Sequence, residues 1–340
     1  MLMRSQNGAP TRLMHGGDLA AARRMFPGAP EPFIDLSTGI NPRPYALPAL
    51  SEDLFKRLPD RAAVERLAAI AADAYGAPGA ECVVPAPGTQ ILLPMVAALV
   101  PPGRAAIFTP TYNEHKRTAE HAGHQVIEAA TFDQLKGADL AIAVNPNNPD
   151  GRIVSKNDLL ALADDLRSRN GILVVDEAFA DVAPNVSVAS EVTRGNIVVL
   201  RSFGKFFGLA GLRLGFALAS PGIAARIDAA LGPWAVSGPA IYIGMKALSD
   251  KAWIETTRAS LINSARQIDE LLKNSRLEIL GGTSLYRLTR TPNADVLFQN
   301  LGRAGILVRR FTDQPQWLRF GVPANDSEMK RLAAALAASH

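Results

Sequence analysis

Lys205 stands in the run Arg201-Ser202-Phe203-Gly204-Lys205-Phe206-Phe207-Gly208, among aromatic and glycine residues. So apolar a setting depresses an amine's pKa and favours Schiff-base chemistry with a carbonyl. Ser202 precedes the lysine, and Arg213 follows it in Leu209-Ala210-Gly211-Leu212-Arg213-Leu214-Gly215. A hydroxyl and a guanidinium on either side of one amine can both reach a phosphate ester. Three other short segments hold matching groups. Gly88-Thr89-Gln90 joins a strand to a helix, and the free N–H groups and positive end of a helix suit a phosphate. A tight turn capped by Thr89 is the plainer alternative. Asn145-Pro146-Asn147-Asn148-Pro149-Asp150-Gly151 forms a sharply defined turn. An asparagine there can hydrogen-bond a phenolate oxygen, or the segment is a turn and nothing more. Asp176 closes the apolar run before Glu177-Ala178-Phe179. A carboxylate at the end of a buried strand needs a cationic partner. A protonated pyridine nitrogen would serve, and so would an ordinary ion pair or a helix cap.

These segments need a frame that brings them together. Short, continuous apolar runs at 82–84, 105–108, 125–128, 140–144, 172–175, 197–201 and 215–218 read as strands. Helical stretches at 62–75, 90–100, 114–122 and 156–169 lie between them. Fully apolar strands alternating with helices predict an α/β fold with a mainly parallel sheet covered on both faces. Ligands in such sheets bind beyond the carboxyl ends of the strands. From about 223 the pattern changes. Helices at 223–231, 240–248 and 252–274 lead into short strands at 277–280, 284–288, 307–310 and 317–320. The expected organisation is a Gly- and Pro-rich extended arm over 1–45, a large domain over 46–250 and a smaller α+β domain over 251–340.

Composition narrows the function. Thirty-six basic residues against 32 acidic ones leave a formal charge of only +4, with no dense basic block, so no nucleic-acid partner is expected. A modest positive balance suits phosphorylated or carboxylated ligands. The single cysteine, Cys82, allows no disulfide framework. His115, His121 and His124 could share a helical face, but no carboxylate cluster joins them, and no metal is expected. Met1 to His15 contains no apolar core of a signal peptide, and no stretch is long enough to span a membrane, so a cytoplasmic protein is expected.

The four loops together resemble the pyridoxal phosphate (PLP) enzymes of fold type I, the aspartate-aminotransferase-like class I/II aminotransferases. The resemblance covers essentially the whole chain and is strongest between 88 and 215. It implies that Lys205 bonds the cofactor aldehyde, Asp176 pairs with the pyridine nitrogen and Asn148 bonds the ring hydroxyl oxygen. It places Gly88, Thr89 and Gln90, through backbone N–H groups, with Ser202 and Arg213 around the phosphate. Tyr112, after Pro110-Thr111, would stack on the ring, unless it is a half-buried surface aromatic. The resemblance also implies a homodimer with its sites at the interface.

Two departures weaken a plain aminotransferase reading. Phe179 stands where many members have a tyrosine, and Arg57-Leu58-Pro59 stands where histidinol-phosphate aminotransferases have Arg-Tyr-Pro. His15-Gly16-Gly17-Asp18, Asp35-Leu36-Ser37-Thr38-Gly39-Ile40-Asn41-Pro42 and Leu231-Gly232-Pro233-Trp234-Ala235-Val236-Ser237-Gly238-Pro239 closely resemble the threonine-phosphate decarboxylases of cobalamin biosynthesis. That family implies decarboxylation of L-threonine O-3-phosphate to (R)-1-amino-2-propanol O-2-phosphate. It also implies a substrate clamp of His15, Gly16, Asn41, Asn148, Arg309 and Arg319. Arg310 is the alternative to Arg309, and His15 is otherwise a structural residue of the arm. The rival activities are an aminotransferase, such as one acting on histidinol phosphate, and a non-catalytic relative that senses a ligand.

Overall fold

The computed structural model describes residues 16–339. Eight strands run through the first two thirds of the chain: β1 (Ile34–Leu36), β2 (Val83–Ala86), β3 (Arg104–Phe108), β4 (Gln125–Ala129), β5 (Leu140–Val144), β6 (Ile172–Asp176), β7 (Ile197–Ser202) and β8 (Gly215–Leu218). All but β1 form one sheet in the order β2-β8-β7-β6-β5-β3-β4. The chain pairs in parallel from β7 through β6, β5 and β3 to β4, and β8 alone runs against its neighbours. β5 and β6 are buried along their whole length, which is why they read as unbroken apolar runs. Apolar cores cover both faces. One includes Leu67, Leu162, Val175 and Phe206, and the other Leu92, Ile107, Val174 and Leu200.

The remaining strands are β9 (Glu278–Thr283), β10 (Tyr286–Arg290), β11 (Ile306–Phe311) and β12 (Gln314–Gly321). With β1 they form a second sheet in the order β1-β11-β12-β10-β9. It has its own core around Leu36, Ile268, Phe298, Leu318 and Leu332. The segment expected as an extended arm therefore contains a helix, Leu19–Met25, and an edge strand paired in parallel with β11. β1 escapes sequence reading because it has three residues with Asp35 in the middle.

Element ends shift for local reasons. The helix expected to reach Val100 stops at Ala97, four residues before Pro101-Pro102. The helix expected to reach Arg169 stops at Arg167, and the chain reverses through Asn170 at φ 59°. Ser284 lies in the turn before β10 rather than in a strand. Helices Ala294–Arg303 and Asp326–Ala337 were not anticipated. The second carries a readable start signal, because the Asn325 side chain accepts from the Glu328 N–H.

Candidate active site

The carboxyl end of β7 and the turns beside it gather the phosphate-binding candidates. Ser202 on β7 pairs with Gly215 on β8, and Gly215 pairs with Ala86 on β2, so three strands meet in one row. From Ala86 the chain passes through Gly88, at φ 85°, into the helix Thr89–Ala97. Thr89 does not cap this helix. Gly88 is the cap residue, and among the described residues no side chain takes the helix's first N–H groups. A Cβ on Gly88 would lie 2.6 Å from Arg213 Nη2, and one on Gly215 would lie 2.7 Å from the Thr89 nitrogen. Glycine at both positions lets a guanidinium and a helix N-terminus approach one point, an arrangement made for an anion. Arg213 is itself held in a left-handed turn at φ 54°, its Nη1 donating to the Ala210 carbonyl at 3.0 Å.

Asp176 ends β6 and is buried. Its partner within the protein is His115, which sequence reading weighed only as a metal ligand. His115 Nε2 lies 2.9 Å from Asp176 Oδ2, and the Ala178 N–H donates to Oδ1 at 3.0 Å. His121 and His124 point elsewhere, each bonded to a backbone carbonyl. The residue before His115 does related work. Glu114 accepts from Gln90 Nε2 at 2.8 Å and from Arg117, while Gln90 Oε1 accepts from the Tyr112 hydroxyl at 3.1 Å. Glu114 thereby sets which way the Gln90 amide faces, and Gln90 sets the Tyr112 ring. Burial, with Glu114 and Asp176 nearby, pushes the Tyr112 phenol up to about 12, so it stays protonated. The sequence signal for Glu114 and His115 was their place in the first turn of the helix Glu114–His121, which follows β3.

Lys205 lies in one helical turn, Phe203–Phe206, directly after β7. Its Nζ donates to the Thr38 carbonyl at 3.4 Å and lies 5.7 Å from the Phe179 ring centre. Burial lowers its pKa to about 8, helped by the positive charges of Arg319 and Arg213 and opposed by Asp176. The turn is strapped from outside. The Asn41 N–H donates to the Lys205 carbonyl at 2.9 Å and its Nδ2 to the Phe206 carbonyl at 2.9 Å. Its Oδ1 accepts from the Arg43 N–H. Asn41, expected in the substrate clamp, bonds the backbone of the turn that carries Lys205.

The second sheet presents the arginines. Arg309 on β11 and Arg319 on β12 are cross-strand partners on one face. Arg310 points the other way, into an ion pair with Asp295 at 3.1 Å. Two like charges directly opposite are unfavourable in a sheet unless an anion joins them. Arg319 is buried, donates to Asn148 Oδ1 and to the Ser37 carbonyl at 2.7 Å, and has no hydrogen-bond partner at Nε among the described residues. Burial lowers its pKa to about 10, so it remains a cation at neutral pH. Asn148 thus meets Arg319. Gly16 packs against the same Ser37 carbonyl, where a Cβ would approach to 2.6 Å. His15 lies outside the described residues.

The residues present fit PLP. The Gly88–Arg213 cradle suits its phosphate, the buried Asp176 carboxylate its ring nitrogen, and the depressed amine of Lys205 its aldehyde. The family model for aminotransferase class I and II matches residues 45–336. A threonine-phosphate decarboxylase from Sinorhizobium sp is 43% identical over 96% of this chain and 98% of its own length. One from Pseudomonas aeruginosa is 39% identical over 95% of this chain and 97% of its own. Among solved structures, the histidinol-phosphate aminotransferase from Sinorhizobium meliloti in complex with pyridoxal-5'-phosphate superposes with a TM-score of 0.81 at 21% identity, covering 94% of this chain and 93% of that one. The chain belongs to the aminotransferase class I and II family, whose fold is PLP fold type I and whose members use PLP.

Proposed function

We propose that this enzyme decarboxylates L-threonine O-3-phosphate to (R)-1-amino-2-propanol O-2-phosphate, a carboxy-lyase step of cobalamin biosynthesis. The observation that carries the reading is the facing pair Arg309 and Arg319, set in a chain whose full-length relatives bear the decarboxylase name. Two arginines on one face suit a substrate with both a phosphate and a carboxylate. PLP, which the Lys205 amine would hold, would supply an electron sink for the substrate. Asp176, oriented by His115, holds the proton on the ring nitrogen. Ser202, Arg213 and the N–H groups at Gly88–Gln90 would hold the cofactor phosphate, Tyr112 would cover the ring, and Asn148, which meets Arg319, would bond the ring oxygen. Arg309 and Arg319, with His15, Gly16, Asn41 and Asn148, would turn the substrate so that the bond to its carboxylate is the one that breaks. As CO2 leaves, Cα takes a proton, and the Lys205 amine is the group suited to give it. With a pKa near 8 it can hold or release a proton close to neutral pH.

The test is product analysis. Holoenzyme with threonine phosphate should release CO2 and aminopropanol phosphate in equal amounts. Transamination with 2-oxoglutarate and no CO2 would favour the histidinol-phosphate aminotransferase reading instead. We read the enzyme as a homodimer, as fold type I enzymes usually are. The exposed apolar side chains Leu47, Phe55, Leu58 and Trp234 supply surface for it. We read the enzyme as cytoplasmic, in keeping with a multiply charged substrate that does not cross a bilayer unaided.

A further inference from the structure

Tyr286 touches more of this site than any expectation from sequence gave it. It opens β10, where its ring lies wholly buried. Leu288 pairs with Arg319 across the β10–β12 ladder, so Tyr286, two residues earlier, projects on the same face as Arg319. The Arg319 guanidinium carbon stands 5.0 Å from the Tyr286 ring centre. The ring meets Phe179 edge to face at 5.0 Å, and Phe179 in turn faces the Lys205 amine. Gly39, at φ 62°, closes against it, since a Cβ there would lie 3.0 Å from Tyr286 Cδ1. The Tyr286 hydroxyl donates to the Asn147 carbonyl at 2.5 Å, inside the turn that presents Asn148 to Arg319.

The charge balance around Arg319 gives these contacts a purpose. Its two hydrogen-bond acceptors, Asn148 Oδ1 and the Ser37 carbonyl, are both neutral, its Nε has no partner among the described residues, and the Asp35 carboxylate acts on it only from beyond ion-pair distance. Its cross-strand neighbour is another arginine. A buried carboxylate would steady the guanidinium, but it would also occupy the N–H groups and neutralise the charge that an incoming anion needs. An aromatic face attracts a cation without using any of its N–H donors. We propose that Tyr286 is a specificity-determining positioning residue, whose ring face holds the Arg319 guanidinium charged and oriented, with its remaining donors free for the substrate's anionic group. The proposal rests on Arg319 as an anion-binding residue, and so deepens the function proposed above.

The test is binding of 3-phosphonopropionate, which has both anionic groups and no amine to react with the cofactor. Calorimetry on the holoenzyme reads its affinity. Tyr286→Leu removes the ring and should weaken binding about 10-fold or more, the size of a desolvated cation–π contact. Tyr286→Phe loses only the bond to Asn147 and should stay within about 5-fold of the parent. Pentafluorophenylalanine in place of Tyr286 keeps the shape of the Phe variant but reverses the ring's electrostatics. It should bind the probe about 5-fold or more weakly than Tyr286→Phe, with the cofactor absorbance band unchanged. This pair decides the matter even where Tyr286→Leu does not fold. Equal affinity in the two isosteric variants overturns the proposal. So does a parent holoenzyme that binds the probe no better than Arg319→Leu. Neither result depends on whether the enzyme releases CO2 or transaminates.

Discussion

At Lys205 the chemistry depends on one proton. Its amine is enclosed among Phe179, Thr38 and the turn strapped by Asn41, and it titrates near 8 instead of its ordinary 10.5. Two consequences follow for the enzyme stripped of cofactor. Capture of PLP needs the neutral amine, so its rate should rise with pH to a midpoint near 8, measured by stopped-flow absorbance. A midpoint near 10 would mean that the amine is not desolvated. Stability moves in the same window. The unfolded chain keeps its lysine protonated up to about 10.4, so between that pH and the folded value the unfolded state binds more protons. Apoenzyme stability should therefore rise with pH over this range. Lys205→Met should raise the melting temperature of the apoenzyme, most of all below pH 8, where the cost of burying the charge is fully present.

At the scale of elements, strand alternation separates Arg309 from Arg310. One faces Arg319 and the other Asp295. Arg309→Leu should raise KM for threonine phosphate by about 100-fold, because it removes a charge-assisted contact to an anion. Arg310→Leu should change KM by less than about 3-fold, since an exposed ion pair contributes little. Equal effects in the two variants would remove Arg309 from the proposed clamp. The same alternation explains what could and could not be read from sequence. β5, β6 and β7 were legible because buried parallel strands are continuous apolar runs, and the candidate groups expected beyond them do lie at their carboxyl ends. Gly88, Ser202, Asp176 and Arg213 carry chemistry that their local sequence suggests. His115, Tyr286 and the strapping role of Asn41 were not legible. Each acts across space on a residue far away in the chain, and nothing in its own neighbourhood marks that partner. The choice between Arg309 and Arg310 needed the register of the β11–β12 ladder, which no periodicity supplies.

For the whole molecule, the proposed dimer has a direct test. On the described chain Phe55 and Leu58 are each 67% exposed, and Trp234 is 59% exposed. The double variant Phe55→Glu, Leu58→Glu should shift the light-scattering mass at micromolar concentration to that of one chain. A parent protein that is already a single chain under those conditions would exclude the dimer. Within the chain we propose two bodies, 46–250 and 251–340, with the first residues bridging them. The bridge is visible where consecutive carbonyls, Ser37 and Thr38, accept from Arg319 and Lys205. Among the described residues no helix is long and apolar enough to cross a membrane.

The pairing of β1 with β11 also sets an order of events during synthesis. Ile34 leaves the ribosome early, yet its partner Ile306 is added near the end. Until then this edge strand has nothing to join, while the large sheet already has every strand it needs. Pairings so distant in sequence form late. The carbonyls just after β1, Ser37 and Thr38, are therefore fixed last, and a chain stopped short of β11 would hold a folded sheet whose Lys205 amine still lacks its Thr38 acceptor.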